Sequence, residues 1–180
     1  MNRICILPLF LFMLITSEAI NEANPISTIT LADDSKKQKK KNKKIAKENL
    51  KIANKLISKN KFYEAIKFLK NILEVDPENT EVCYKIAEMY RYARYYSDAE
   101  EYYRSCAIKE HENFPYLYFW LGMMQKALCE FDEAKQSFNI FMNQYSGDQA
   151  YYKNKAAKEI VACDIASELA VQNDLADEMV

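Results

Sequence analysis

Glycine is nearly missing from this chain of 180 residues, with two copies, and proline occurs only four times. So few breakers exclude the turn-rich β-sandwiches and barrels and leave no Gly-rich phosphate loop, pointing instead to helices joined by short connections. Histidine occurs once, at His111, and none of the five cysteines forms a CxxC pair. The usual zinc-ligand spacings are therefore absent, and no nucleophile elbow or other catalytic constellation stands out. No catalytic residue, metal ligand, cofactor or small-molecule substrate is expected, and the chain reads as a non-enzyme. The longest apolar run, residues 4–15, falls short of the ~20 residues that cross a bilayer.

The net charge of −1 conceals an uneven distribution. Residues 20–45 carry seven lysines against Glu22, Asp33 and Asp34, whereas residues 46–180 carry 17 basic and 22 acidic side chains. A mildly acidic folded part argues against nucleic acid as a partner. The first 19 residues have Arg3, the apolar run, and then Ser17 and Ala19, the order of a secretory signal, with cleavage expected after Ala19. Cys5 stands at the start of the apolar run instead of at its end, which disfavours a lipoprotein anchor. Residues 20–44 lack apolar periodicity and end in a lysine run, and are expected to form a disordered linker. That linker is the one stretch suited to contact with anionic lipid.

What the chain does contain is a repeat. Leu121, Gly122, Phe131, Ala134, Phe138 and Phe141 occupy slots that recur 35 residues earlier as Ile86, Ala87, Tyr96, Ala99, Tyr103 and Cys106. A further 34 back stand Ile52, Ala53, Phe62, Ala65, Leu69 and Ile72. A period near 34 with paired small residues fits two short antiparallel helices per repeat, with Ala53, Ala87 and Gly122 where the first helix meets the second most closely. Ala65, Ala99 and Ala134 do the same on the other side. The large apolar residues at helical spacing bury one stripe within the hairpin and another against the next repeat.

This pattern resembles the tetratricopeptide repeat (TPR) family. The fold class expected is all-α, an α-solenoid of three helix-turn-helix repeats over about 45–79, 80–114 and 115–148. First helices are expected over about 47–59 and 80–92, and second helices over 62–74 and 96–109. Asn60 suits the left-handed turn within the first repeat, and Asp76-Pro77 closes it. Pro115 is assigned to the first helical turn of the third repeat, and Gly147 and Asp148 to the end of that repeat and the cap of the next helix. Tyr152, Ala156, Ile160, Cys163, Ala166 and Ala170 line one face of a last helix, so residues 149–180 read as a capping helix with a frayed tail. Cys83 and Cys106 fall in packing slots, and nothing in their spacing calls for a disulfide. The acid pairs Glu100/Glu101 and Asp132/Glu133 read as solvated helix starts, and His111 as a loop residue.

In the family resembled, first helices line a concave groove that holds a peptide or a partner helix. Carried over slot by slot, the groove-facing residues are Leu50, Asn54 and Ile57 in repeat one, Tyr84, Glu88, Arg91 and Tyr92 in repeat two, and Phe119, Met123 and Lys126 in repeat three. Rigid aromatics with isolated charges suit protein contact. The basic set that grips chaperone C-terminal carboxylates in one TPR subgroup is not reproduced, since Leu50, Phe119 and Trp120 replace its cations. The segments MQKAL and FDEAKQSF, the pair Tyr151/Tyr152 and KEI before Cys163 resemble the N-terminal TPR domain of exported OmpA-family envelope proteins of Bacteroidetes, including type IX secretion and gliding components. That likeness implies an exported protein of the periplasm or outer membrane with an envelope protein or peptide as partner. Its alternative is the N-terminal structural part of an OmpA-like envelope anchor or machinery component, without the propeller and peptidoglycan-binding domains such relatives carry.

Overall fold

The computed structural model describes the backbone of residues 25–109, 113–145 and 150–177, and the side chains of 34–109, 113–145 and 150–172. The signal sequence, His111, Gly147 and Asp148 lie outside the described residues. Two compact units divide the chain, residues 1–38 and 39–180; the described part of the first is helical from Pro25 onward. Seven helices are described: α1 (Pro25–Ile57), α2 (Phe62–Val75), α3 (Thr80–Tyr92), α4 (Tyr96–Lys109), α5 (Leu117–Ala127), α6 (Phe131–Gln144) and α7 (Ala150–Asp177). The described residues contain no strand, and no described helix is long and apolar enough to cross a membrane. The architecture is an α-solenoid of three helical hairpins, α1/α2, α3/α4 and α5/α6, closed by α7.

The local chemistry sets the boundaries. Asn79 caps α3, its side-chain oxygen accepting a hydrogen bond from the Val82 N–H at 3.0 Å, and so satisfies one of the orphan donors of the first turn. Between the helices of each hairpin one residue takes a left-handed conformation: Asn60 (φ 57°), Arg94 (φ 64°) and Cys129 (φ 63°). They sit 34 and 35 residues apart, the period of the repeat, so one turn geometry is used three times. Pro115 precedes the third hairpin's first helix instead of opening it, because α5 begins at Leu117.

The small slots are where helices touch. Ala53, Ala65, Ala87, Ala99 and Ala134 are all fully buried. A Cβ on Gly122 would lie 2.9 Å from the Phe138 ring and 3.1 Å from the Ala134 carbonyl oxygen, which explains why the third repeat needs glycine at this crossing. Leu69, Ile72, Ile86, Tyr103, Cys106, Phe138 and Phe141 fill the spaces between the hairpins at no more than 2 % exposure. Cys83, Cys106 and Cys163 are buried free thiols, whereas Cys129 is exposed. Ala156, 34 residues after Gly122, is also fully buried, so α7 stands where the first helix of a fourth repeat would stand.

Several expectations are corrected. The linker expected to be disordered over 20–44 is helical from Pro25, and α1 runs on without a break into the first repeat. From 26 to 57 there is neither glycine nor proline, and lysine loses little rotamer freedom in a helix. Residues 34–41 are exposed throughout, which is why apolar periodicity gave no signal there. Ile52 is 43 % exposed, unlike Ile86 and Leu121 in the matching slots, because among the described residues no preceding hairpin covers it. Glu100 is buried rather than solvated at 8 %; Arg104, one turn on, donates to its carboxylate from Nε at 2.8 Å.

Candidate partner-binding surface

Successive first helices are tied to one another by side chains from a single band. Between α1 and α3, Lys85 Nζ donates to Asn54 Oδ1 at 3.2 Å. Between α3 and α5, the Arg91 guanidinium stacks over the Trp120 ring at 3.9 Å from its centroid, with the Tyr92 ring at 4.3 Å on α3 itself. Between α5 and α7, Lys126 Nζ reaches Glu159 Oε2 at 2.6 Å. Three contacts of different chemistry thus link the four helices in succession. The same face therefore runs along the whole stack.

Arg91 is the best-fixed charge in this band. Its Nη2 pairs with Glu88 Oε2 at 2.5 Å, and the two side chains are 14 % and 18 % exposed. Tyr103, buried in α4, donates its hydroxyl to Glu88 and accepts from Arg91 Nε at 3.1 Å. Burial works to lower the pKa of Arg91, but the hydrogen bond to Glu88 and the interaction with Tyr103 outweigh it and hold the guanidinium above its ordinary value. Burial, reinforced by the Glu88 charge, pushes the Tyr103 phenol up, so it stays a donor. A planar cation clamped between two aromatic faces loses little freedom on binding, because its geometry is fixed beforehand.

The ten residues assigned from sequence divide by environment. Leu50 and Ile57 are half-buried against the core of the first hairpins, and Asn54 is exposed. Tyr84 is half-buried, its ring stacked on Phe114 at 4.4 Å and edge-on to Tyr103 at 5.6 Å; burial and the Glu88 charge raise its pKa. Tyr92 is 51 % exposed and stacks on Phe62 at 5.2 Å. Glu88, Arg91, Met123 and Lys126 are half-buried.

Phe119 does not belong to the surface. It is fully buried, within 5.0 to 5.9 Å of the rings of Trp120, Tyr152, Phe141 and Phe138. Its helix turns it toward α6, and Tyr152 of α7 closes over it. The aromatic that does line the band is its neighbour Trp120. Trp120 and Lys85 stand 35 residues apart in one repeat slot, and that shared register was the signal available in the sequence for both. Phe62 and Glu159 were missed for another reason: they come from a second helix and from the cap, outside the first-helix slots.

Among the described residues no group of three or more His, Cys, Asp or Glu side chains is placed to hold a metal ion. No family model matches the sequence, and no curated protein matches it. Solved structures do. The chain is similar to the second TPR domain of human RPAP3, in complex with an HSP70 peptide, at 18 % identity and a TM-score of 0.57, over 68 % of this chain and 98 % of that one. It is similar to the type III secretion translocator chaperone SycD of Yersinia enterocolitica, at 13 % identity and a TM-score of 0.59, over 68 % and 85 %. The Sgt2 TPR domain of Aspergillus fumigatus aligns at 12 % identity and a TM-score of 0.56, over 71 % and 82 %. At such identities the likeness is one of fold: the chain has the fold of TPR domains.

Proposed function

We propose that this protein is a non-enzymatic adaptor that holds a peptide or partner-protein segment along its first-helix face. The observation that carries the reading is the band from Asn54 and Lys85 through Arg91 and Trp120 to Lys126 and Glu159, continuous over α1, α3, α5 and α7. It combines exposed aromatic area with charges already fixed in place, the composition of binding hot spots. The RPAP3 domain above is in complex with an HSP70 peptide, and SycD is also seen with a peptide of the translocator YopD, which supports a segment as the ligand.

Peptides selected from a random display library on the intact protein provide the test. Trp120→Ala and Tyr92→Ala are each expected to weaken the selected peptides by roughly 1–3 kcal/mol, while the thermal midpoint changes little. Selected peptides that bind both variants as they bind the parent would overturn the assignment of this face.

The proposed location is the cell envelope, by export through the signal sequence. Protein recovered from its native host should begin at Ile20, read as an intact mass lacking residues 1–19; retention of Met1 to Ala19, or a lipid adduct, overturns export by a cleaved signal. A second reading, the N-terminal part of an envelope anchor of the OmpA-like kind, is favoured by one observation. Val161, Ile165 and Leu169 form an exposed apolar row along α7, at 57 %, 54 % and 53 % exposure, where further structure would dock.

A further inference from the structure

The first-helix face is not uniform, and its beginning differs from its middle. Where α1, the end of α2 and the start of α3 meet there is a cleft of about 850 Å³. Its floor is apolar, built on Leu50, Ile72 and Val82 with Ala46 and Val75 beside them. Ile72 and Val82 are 2 % and 6 % exposed and belong to the main core, so the floor is rigid. The mouth is lysine: Lys39, Lys43 and Lys47 of α1 on one side and Lys85 of α3 on the other.

Two carboxylates, Asp76 and Glu81, also line the cleft, so these charged side chains sum to an excess of positive charge. Asp76 already accepts a hydrogen bond from Asn79 Nδ2 at 2.9 Å. Among the described residues none of the four lysines forms a salt bridge, although seven such pairs occur elsewhere in the described chain. Residues 39–57 hold eight lysines against one acid, Glu48. Lys39, Lys43 and Lys47 follow at four-residue steps, and like charges so spaced on a helix repel. Among the described residues no carboxylate pairs directly with these lysines to relieve that repulsion.

We propose that this cleft receives an acidic peptide segment carrying one apolar anchor side chain. The anchor seats on Leu50, Ile72 and Val82, and the flanking carboxylates pair with Lys39, Lys43, Lys47 and Lys85. This rests on the peptide-binding reading and names the chemistry of the ligand. A basic segment is rejected by the rim, and a neutral apolar one gains nothing from it. The concave apolar floor favours a side chain over the flat surface of an anionic membrane, which would engage the lysines alone.

Three synthetic peptides of equal length test this on the intact protein: one rich in Glu with a central Leu, its Lys counterpart, and the Glu peptide with Ala for Leu. The Glu/Leu peptide is expected to bind, more weakly as salt rises, and at least roughly tenfold more tightly than either control. Lys43→Glu with Lys47→Glu should remove that preference while circular dichroism stays parental, since both side chains are exposed. Equal affinity for the Glu and Lys peptides overturns the proposal, as does an unchanged preference in the double variant. Capture of phosphatidylglycerol vesicles by the parent and not of the Glu/Leu peptide overturns it in favour of a lipid surface. Library-selected peptides that need Trp120 but ignore Lys43 and Lys47 sink the acidic cleft and leave the adaptor reading standing. Selected peptides that ignore Trp120 and Tyr92 remove that reading instead.

Discussion

Replacing Phe119 by alanine is expected to destabilise the protein by about 3–5 kcal/mol, which for a chain of this size lowers the thermal midpoint by on the order of 10 °C. The ring is fully buried and lies where α5, α6 and α7 converge, between Phe138, Phe141 and Tyr152. Three helices cannot all shift inward to fill the vacated space, so a cavity term adds to the lost transfer energy. Trp120→Ala, one residue away, removes a half-buried ring and should cost much less stability while costing binding. Thermal or urea unfolding of the two variants side by side separates these roles; a Phe119→Ala midpoint equal to that of the parent would put the ring back on the surface.

A larger loss is expected from a chain ending at residue 148. Removing α7 uncovers Phe119, Phe141 and Tyr116 together, because Tyr152 packs on Tyr116 and Phe119 and Ala156, Ile160 and Cys163 complete the same cluster. It also cuts Lys126 from Glu159 and Lys135 from Asp164. A terminal unit covers the apolar end of a solenoid, and without α7 the third hairpin presents aromatics to water. The shortened chain should aggregate on size exclusion or bind hydrophobic dyes at room temperature. A soluble monomer with the parental midpoint would show that α7 does not act as a lid.

Much of this was legible because only a small residue fits where two helices cross. Ala53, Ala87 and Gly122 announce those crossings in the sequence, and the 2.9 Å approach of a notional Cβ on Gly122 to Phe138 shows why the announcement is strict. The band was legible slot by slot for Asn54, Arg91, Tyr92 and Lys126. It failed at Phe119, because neighbouring aromatics on a helix point about 100° apart and only the arrival of Tyr152 from α7 decides which is covered. Periodicity within a repeat carries no information about such a partner. Residues 25–44 gave no apolar period, so the only trace of their helix was propensity without breakers. Glu100 was misread because it is buried and paired with Arg104 one turn on, a side-chain pairing that an acid at a helix start does not advertise.

The backbones of the described helices lie closest to their neighbours in chain order, α2 to α3, α3 to α4 and so on to α6 with α7, and the successive first helices meet mainly through side chains. A molecule wired in this way is close to one-dimensional, and its local opening is governed by how many neighbours each unit has. Fraying begins at the two ends, and the middle hairpin, held on both sides, opens last. Arg91, Tyr92 and Glu88 belong to that hairpin, so the most ordered charges of the band sit on its slowest-opening unit. A segment docking across them and onto the flanking hairpins would bridge all three units and suppress fraying at both ends, so that occupancy is felt as rigidity far from the point of contact.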